Sequence, residues 1–591
     1  MYRQLLITVL AAVLSVTKAG SQYSPPPNDP FQPLIVDIDN NVSPTFTLAP
    51  LTHIHNNDGS TNKTVYNGTE TDNFVKFYTY PDGASSNKSV TMKHGTFQSV
   101  PVYLNGGYTN DTIVYAQIAV PGGAKAGDKF PGILFLHGGG YYAQNSSMYA
   151  RVKSWAAAGY VVVACDLPGI ADPTYADVGS GTWRSVPYGS IPRMTVTPDV
   201  KASWIYTAEA TALKAFALLK AQPNTDTNKL GITGMSWGGF STTLLCGLLG
   251  DRVKAGFSMF GCGFIDEQSA WHDNFDPANA LFAFNNPAEA AQWLTYLDPG
   301  RRAGNIKANF YLAAPANDHF YRPPAAVKTA QAITNAAGFN CQFSPNSQID
   351  PNDPNPAHTL DYFIVKSSHN ILTPGGNVVP PTFSLPAVSR GWCGMEAVYF
   401  DYLLKGIGAP LSTIKLAGNP QLDSQSNLIV NFTVTADPLV TLQSPKLYYS
   451  PHTTNDTWEH RNWIEPGVPV TPVGVNGNVC SYSVTLPANL ATQPVDWYVL
   501  VSDTRGAWAT TASTLVAKSA GANLGVSKLS NTQYRIGVNG VSNQTLVIQA
   551  SPDLQNWLPL ATNALSSSSW IYTNTVPGNF SNQFYRAMLS P

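Results

Sequence analysis

Leu230-Gly231-Ile232-Thr233-Gly234-Met235-Ser236-Trp237-Gly238-Gly239-Phe240, continued by Ser241-Thr242-Thr243-Leu244-Leu245-Cys246-Gly247-Leu248-Leu249, reads as a short strand, a sharp turn and a helix. The apolar run before the turn is of the buried-strand kind, and the stretch after it passes from small residues into an apolar helix. A Gly-x-Ser-x-Gly turn in this setting predicts a nucleophile elbow, with the backbone of Ser236 held in a strained conformation that small neighbours allow and its hydroxyl raised above the sheet edge. In a chain with 47 glycines the pentapeptide alone also fits a helix-capping serine, so the flanks decide.

Upstream, Gly132-Ile133-Leu134-Phe135-Leu136 is a continuous apolar strand that runs into His137-Gly138-Gly139-Gly140. A helix over Met148 to Ala158 follows, then a buried strand over Tyr160 to Ala164 ending at Asp166-Leu167-Pro168-Gly169, then a helix over Ala202 to Lys220. Downstream, strands are predicted over Val253 to Phe260, Asn309 to Ala314, Phe339 to Phe343 and Thr359 to Lys366, with helices over Pro323 to Ala337 and Gly391 to Lys405. Strands alternating with helices at this spacing give an α/β fold, a mainly parallel doubly wound sheet. Two Gly/Pro-rich insertions, Ile170 to Val200 with Trp183, Tyr188 and Arg193, and Gly261 to Arg302 with Trp271, His272 and Trp293, are read as pocket walls over the strand carboxyl ends.

A serine hydroxyl needs a base in hydrogen-bond reach, and the base needs an acid to hold its tautomer. On a sheet with such an elbow the order is nucleophile, acid, histidine. Asp318, in the loop after the Asn309 to Ala314 strand, is the acid; the adjacent His319 is read as structural. For the base, His369 stands at the carboxyl end of the Tyr362-Phe363-Ile364-Val365-Lys366 run, and His358 just before that run; both stay open, His369 first. The oxyanion donors are the backbone N–H groups of Trp237, Gly139 and Gly140. A phosphate loop is excluded because the three glycines have neither a following Lys nor a dinucleotide spacing. His53-Ile54-His55 lacks a third metal ligand and reads as an alternating strand, so no metal and no cofactor is expected.

Leu219 to Asp226 leading to Gly231-Ile232-Thr233-Gly234-Met235-Ser236-Trp237-Gly238-Gly239, then Phe260-Gly261-Cys262-Gly263-Phe264 and Asn317-Asp318-His319-Phe320-Tyr321, resembles the acetyl xylan esterase and dienelactone hydrolase-like branch of the α/β-hydrolases. The resemblance covers about Val100 to Leu411. It implies an α/β-hydrolase fold and a Ser/His/Asp esterase, carried here onto Ser236, Asp318 and a histidine. Family members place that histidine soon after the strand following the acid-loop helix; Phe343-Ser344-Pro345-Asn346-Ser347 has none, so an insertion must deliver His369 or His358.

Beyond about Gly408 the helical period stops and short alternating runs separated by Pro, Asn, Gly and Asp predict β-sandwich units. Ala550-Ser551-Pro552-Asp553-Leu554-Gln555-Asn556-Trp557 and Phe584-Tyr585-Arg586-Ala587 resemble β-domains that end exported proteins of the Verrucomicrobia. Met1 to Ala19, with Arg3 before an apolar run of about a dozen residues, reads as a signal peptide rather than a membrane span. The expected division is 1–19 signal peptide, 20–99 β-rich extension, 100–411 catalytic domain, 412–520 sandwich and 521–591 small β domain.

Charged residues make up 12% of the 591, with a net charge of -2, which excludes a basic nucleic-acid groove and a polybasic membrane patch. Of the six cysteines, Cys165 and Cys246 fall inside apolar runs, and Cys341 and Cys393 share one late segment, where spacing alone leaves pairing open. The expectation is a secreted serine esterase, periplasmic, cell-surface or extracellular, that acts without a cofactor on acetyl or short acyl esters of polysaccharide. A prolyl-oligopeptidase-like peptidase and a non-catalytic carbohydrate-binding surface protein are the alternatives.

Overall fold

The computed structural model describes residues 25–171, 195–266, 287–336, 360–365 and 394–589, less short stretches within them. Its central sheet is built from β1 (Phe46–Leu48), β2 (Thr69–Tyr78), β3 (Ser85–Gln98), β4 (Ile113–Pro121), β5 (Phe130–Leu136), β6 (Val161–Cys165), β7 (Thr225–Met235), β8 (Ala255–Met259), β9 (Asn309–Pro315) and β10 (Leu360–Val365). The order across the sheet is β1-β3-β4-β6-β5-β7-β8-β9-β10, with β2 also on β3. From β6 to β10 every pairing is parallel, and β4 meets β6 antiparallel. All carboxyl ends from β5 to β10 therefore open on one edge.

Helices cover both faces, which is why the parallel strands are apolar without alternation: Ile133, Leu134, Phe135 and Leu136 are all buried. Those used below are α1 (Gln32–Asp39), α2 (Ser146–Ala157), α3 (Trp204–Lys220), α4 (Trp237–Leu249), α5 (Pro287–Leu297), α6 (Pro323–Ala336) and α7 (Gly394–Phe400).

The amino-terminal region differs from the expected wrapped extension. β3 pairs along its length from Val90 to Gln98 with β4 and is a full member of the sheet, which thus begins before Val100. Its period-two burial, with Val90, Met92 and His94 inside and Lys93 exposed, is masked by polar residues in the inward set. Ahead of it, α1 buries Ile35 and Ile38. Asp29 forms a buried ion pair with Arg302, whose Nη2 also donates to the Tyr296 carbonyl at 3.0 Å. Residues 51–55, which include His53 and His55, form a strand antiparallel to Thr61–Tyr66.

The chain after α7 forms two sheets whose facing residues, among them Phe432, Val434, Leu447, Val484, Trp497 and Val499, make a second core. Part of the outer face of one of these sheets packs on the hydrolase instead of meeting solvent. Tyr448, Tyr498, Leu500 and Trp508 join the hydrolase core, and the Tyr311 hydroxyl on β9 donates to the Trp508 carbonyl at 2.7 Å. Arg505, paired with Asp503, donates to the Ala409 and Pro410 carbonyls of the connecting segment. The final unit, residues 523–589, is a small sandwich with its own core of Ile536, Val538, Leu546 and Ile548.

Candidate active site

Ser236 stands between β7 and α4 with φ 57° and ψ -118°. An L-residue there stores about 1–3 kcal/mol of strain, so neighbouring structure must hold it. The Ser236 N–H donates to the Met259 carbonyl at 2.8 Å, and its carbonyl accepts from the Phe240 N–H at 2.9 Å. Two glycines make the bend possible. A Cβ on Gly234 would sit 2.4 Å from the Gly238 carbonyl oxygen, and one on Gly238 would sit 2.3 Å from that of Leu136. Behind the turn, Ser258 Oγ lies 2.8 Å from the Gly239 carbonyl and 2.7 Å from that of Gly261, and Thr233 Oγ1 donates to buried Glu396 on α7 at 2.5 Å. From Leu230 to Gly250 every residue but Ser236 is buried.

The glycine loop after β5 lies beside this turn: a Cβ on Gly138 would be 3.1 Å from the Met235 carbonyl and 3.5 Å from Ser236 Cβ. His137, fully buried, donates from Nδ1 to the Gly138 carbonyl (2.8 Å) and accepts the Leu167 N–H on Nε2 (3.0 Å). Those two roles require the neutral ring, and burial holds its pKa down at about 4. Gly140 departs from the expected pair of donors. Its N–H donates to the Ile170 carbonyl at 3.0 Å, so the third glycine closes the loop. The amides of Gly138 and Gly139 meet no acceptor among the described residues. Gly138, two positions past the end of β5, was not among the donors expected from the sequence.

Asp318 lies just beyond β9, two strands from the elbow and about 10 Å across the sheet at ordinary strand spacing. It is fully buried, and its Oδ1 accepts the N–H groups of Phe320 (2.8 Å) and Tyr321 (3.1 Å). Tyr321 meets the ring of Trp237, the first residue of α4, edge-on with centroids 6.4 Å apart, so the acid loop packs on the elbow helix. The thiol of buried Cys262 is pushed well up by burial and by the Asp318 and Asp298 carboxylates. His319, His358 and His369 lie outside the described residues, as do Trp183, Tyr188, Arg193, Trp271, His272, Cys341 and Cys393. Trp293 on α5, expected in a pocket wall, is instead a fully buried core residue packed against Phe240 at 6.3 Å. Cys165 and Cys246 are buried free thiols.

The elbow, the glycine loop and Asp318 thus meet on one edge, an arrangement suited to acyl transfer through serine. Residues 85–335 match the model of the acetyl xylan esterase family, a span that starts at the first residue of β3 and includes Ser236 and Asp318. No curated protein matches the chain. Among solved structures, acetyl xylan esterase 1 from Thermoanaerobacterium sp. JW/SL YS485 is 14% identical, with 66% of this chain and 96% of that one covered at a TM-score of 0.38. An acetyl xylan esterase from Paenibacillus sp. R4 is 14% identical over 51% and 84% (TM-score 0.34), and the Pyrococcus horikoshii acylaminoacyl peptidase 16% over 60% and 54% (TM-score 0.35). Scores this low bear on neither substrate nor mechanism. The family match over residues 85–335 and the sheet order support an α/β-hydrolase of the acetyl xylan esterase branch, a serine carboxylic ester hydrolase, in that part of the chain.

Proposed function

We propose that this ester hydrolase works through Ser236, His369 and Asp318, on acetyl or other short acyl esters of polysaccharide, outside the cytoplasm. The observation that carries the proposal is Ser236 itself, strained and alone in emerging from a buried turn beside two amides that meet no acceptor among the described residues. Its Oγ attacks the ester carbonyl while the imidazole takes its proton. The carbonyl oxygen, now an anion, receives the N–H groups of Trp237, Gly138 and Gly139. Collapse breaks the bond to the sugar oxygen, which leaves with the proton from the imidazolium. Water then repeats the sequence on the acyl-serine, and Asp318 holds the ring throughout.

The direction of β10 favours His369. This strand is parallel to β9, with Leu360 opposite Phe310 and Val365 opposite Pro315. Val365 ends the strand on the edge that carries Ser236 and His369 follows it by four positions in sequence, whereas His358 precedes Leu360, which starts the strand at the opposite edge. Short acyl groups on polysaccharide, and export after cleavage near Ala19, rest on the family description and on the leader sequence.

The test is turnover of p-nitrophenyl acetate and butyrate and acetate release from acetylated xylan, with the mature amino terminus read by mass spectrometry. Ser236→Ala and His369→Ala are expected to lose on the order of 10⁴-fold or more in kcat, and His358→Ala to stay within a few-fold. Loss in His358→Ala with retention in His369→Ala would reverse the assignment of the base.

A further inference from the structure

We infer that Asp166, acting with Gln117, is a positioning residue for the oxyanion loop. The inference rests on the serine ester hydrolase reading and concerns what holds the glycine amides in place. Ala143, five residues past Gly138, is gripped at both polar atoms of its backbone. Its N–H donates to Asp166 Oδ1 at 2.6 Å, and its carbonyl accepts from Gln117 Nε2 at 2.7 Å. Both side chains are fully buried, and they come from adjacent strands: Gln117 stands opposite Ala164 in the β4–β6 pairing, and Asp166 follows β6 directly.

The other end of the loop is fastened to the same turn. His137 accepts the Leu167 N–H, and the Gly140 N–H reaches the Ile170 carbonyl. Asp166 is itself set by its own N–H, which donates to the Tyr115 carbonyl at 3.0 Å. Every fastening between the loop and residues 166–170 bridges the two parallel strands β5 and β6, so the turn after β6 acts as the template on which the amides are laid out. A buried carboxylate is unfavourable without donors, and a short charge-assisted bond to a backbone N–H is the strong kind that fixes a peptide plane. Misplacing a reacting or stabilising group by about 1 Å costs on the order of 100-fold in rate, so release of Ala143 propagates to Gly138 and Gly139.

The experiment is steady-state hydrolysis of p-nitrophenyl acetate by wild type, Asp166→Ala, Asp166→Asn, Gln117→Ala and Ser236→Ala. Affinity for a methylboronic acid, whose tetrahedral adduct places an oxygen in the same hole, and thermal unfolding are measured beside it. Asp166→Ala is expected to lose roughly 30- to 100-fold in kcat with KM changed less than threefold, and boronate affinity is expected to fall in parallel. Asp166→Asn, which keeps an acceptor for the Ala143 N–H, is expected to recover to within about fivefold of wild type. If Asp166→Ala does not fold, Gln117→Ala carries the test, with an expected loss of about tenfold in kcat at unchanged KM. The inference is overturned if folded Asp166→Ala or Gln117→Ala keeps kcat and boronate affinity within twofold, or if Asp166→Asn is as impaired as Asp166→Ala. Wild type no faster than Ser236→Ala would instead sink the esterase reading, and boronate affinity, which needs no turnover, would still report on the loop.

Discussion

Glu209 sits deep in α3 where it faces α4, and its Oε1 accepts the Ser241 hydroxyl at 2.5 Å while Oε2 has no partner among the described residues. Burial pushes its pKa up to about 8 from 4.5, against the opposing pull of the Ser241 bond, so the group is protonated at neutral pH. The folded state then holds a proton that the unfolded chain releases above 4.5, and stability falls as pH rises from 4.5 to 8. His137 works in the opposite sense. Its folded pKa of about 4 lies below the ordinary 6.5, so its contribution is complete above 6.5 and is lost as pH falls toward 4. Each acts with a slope of about 1.4 kcal/mol per pH unit. The two cancel between 4.5 and 6.5, and Glu209 alone gives a decline from 6.5 to 8. Urea unfolding across this range is expected to show that plateau and decline, and Glu209→Gln to turn the plateau into a rise and remove the decline. A variant curve parallel to wild type would refute the buried proton.

The strand–turn–helix element at 225–249 owes its shape to close backbone approach more than to helix or strand preference. Gly234→Ala and Gly238→Ala each press a methyl onto a carbonyl oxygen, at 2.4 Å and 2.3 Å, in a strand and helix with no room to shift. Each is expected to lower stability by about 2–4 kcal/mol in chemical denaturation and to abolish turnover in whatever folds; a loss below about 0.5 kcal/mol would mean the turn relaxes freely. This element was readable in the sequence because all its determinants are local: an apolar run, two glycines around a serine, a small-residue helix start. The parallel strands were equally legible, since β5, β6, β8, β9 and the Leu230 end of β7 are mostly apolar, buried runs. What escaped depended on partners distant in sequence. Gly140 looks like its neighbours until Ile170, thirty positions on, takes its N–H. Trp293 looks like a wall until Phe240 shows where it packs, and β3 looks polar until its pairing with β4 separates the inward from the outward set.

At the scale of the molecule, the first sandwich belongs to the hydrolase in a way the second does not. The strand Trp508–Thr510 lies against β10, at the end of the sheet order among the described residues, and its carbonyl at Trp508 accepts the hydroxyl of buried Tyr311. Ending the chain at residue 520 is expected to leave kcat within twofold and the melting temperature within a few degrees, since the final unit keeps its own core. Ending it at 411 is expected to give insoluble or inactive protein, because Tyr311 and the apolar side chains packed with it then face water. Soluble, fully active protein from the shorter chain would show that β10 needs no support. The buried pair of Asp29 and Arg302 has a consequence of a different kind, in time. The two residues are 273 positions apart, so this tie between the segment before the first helix and the floor of the elbow helix cannot form until the chain between them has been made. Until then the incomplete chain carries an aspartate without its counter-charge, so the segment at Asp29 is sealed only after Arg302 has emerged, later than the strands and helices that lie between them in sequence.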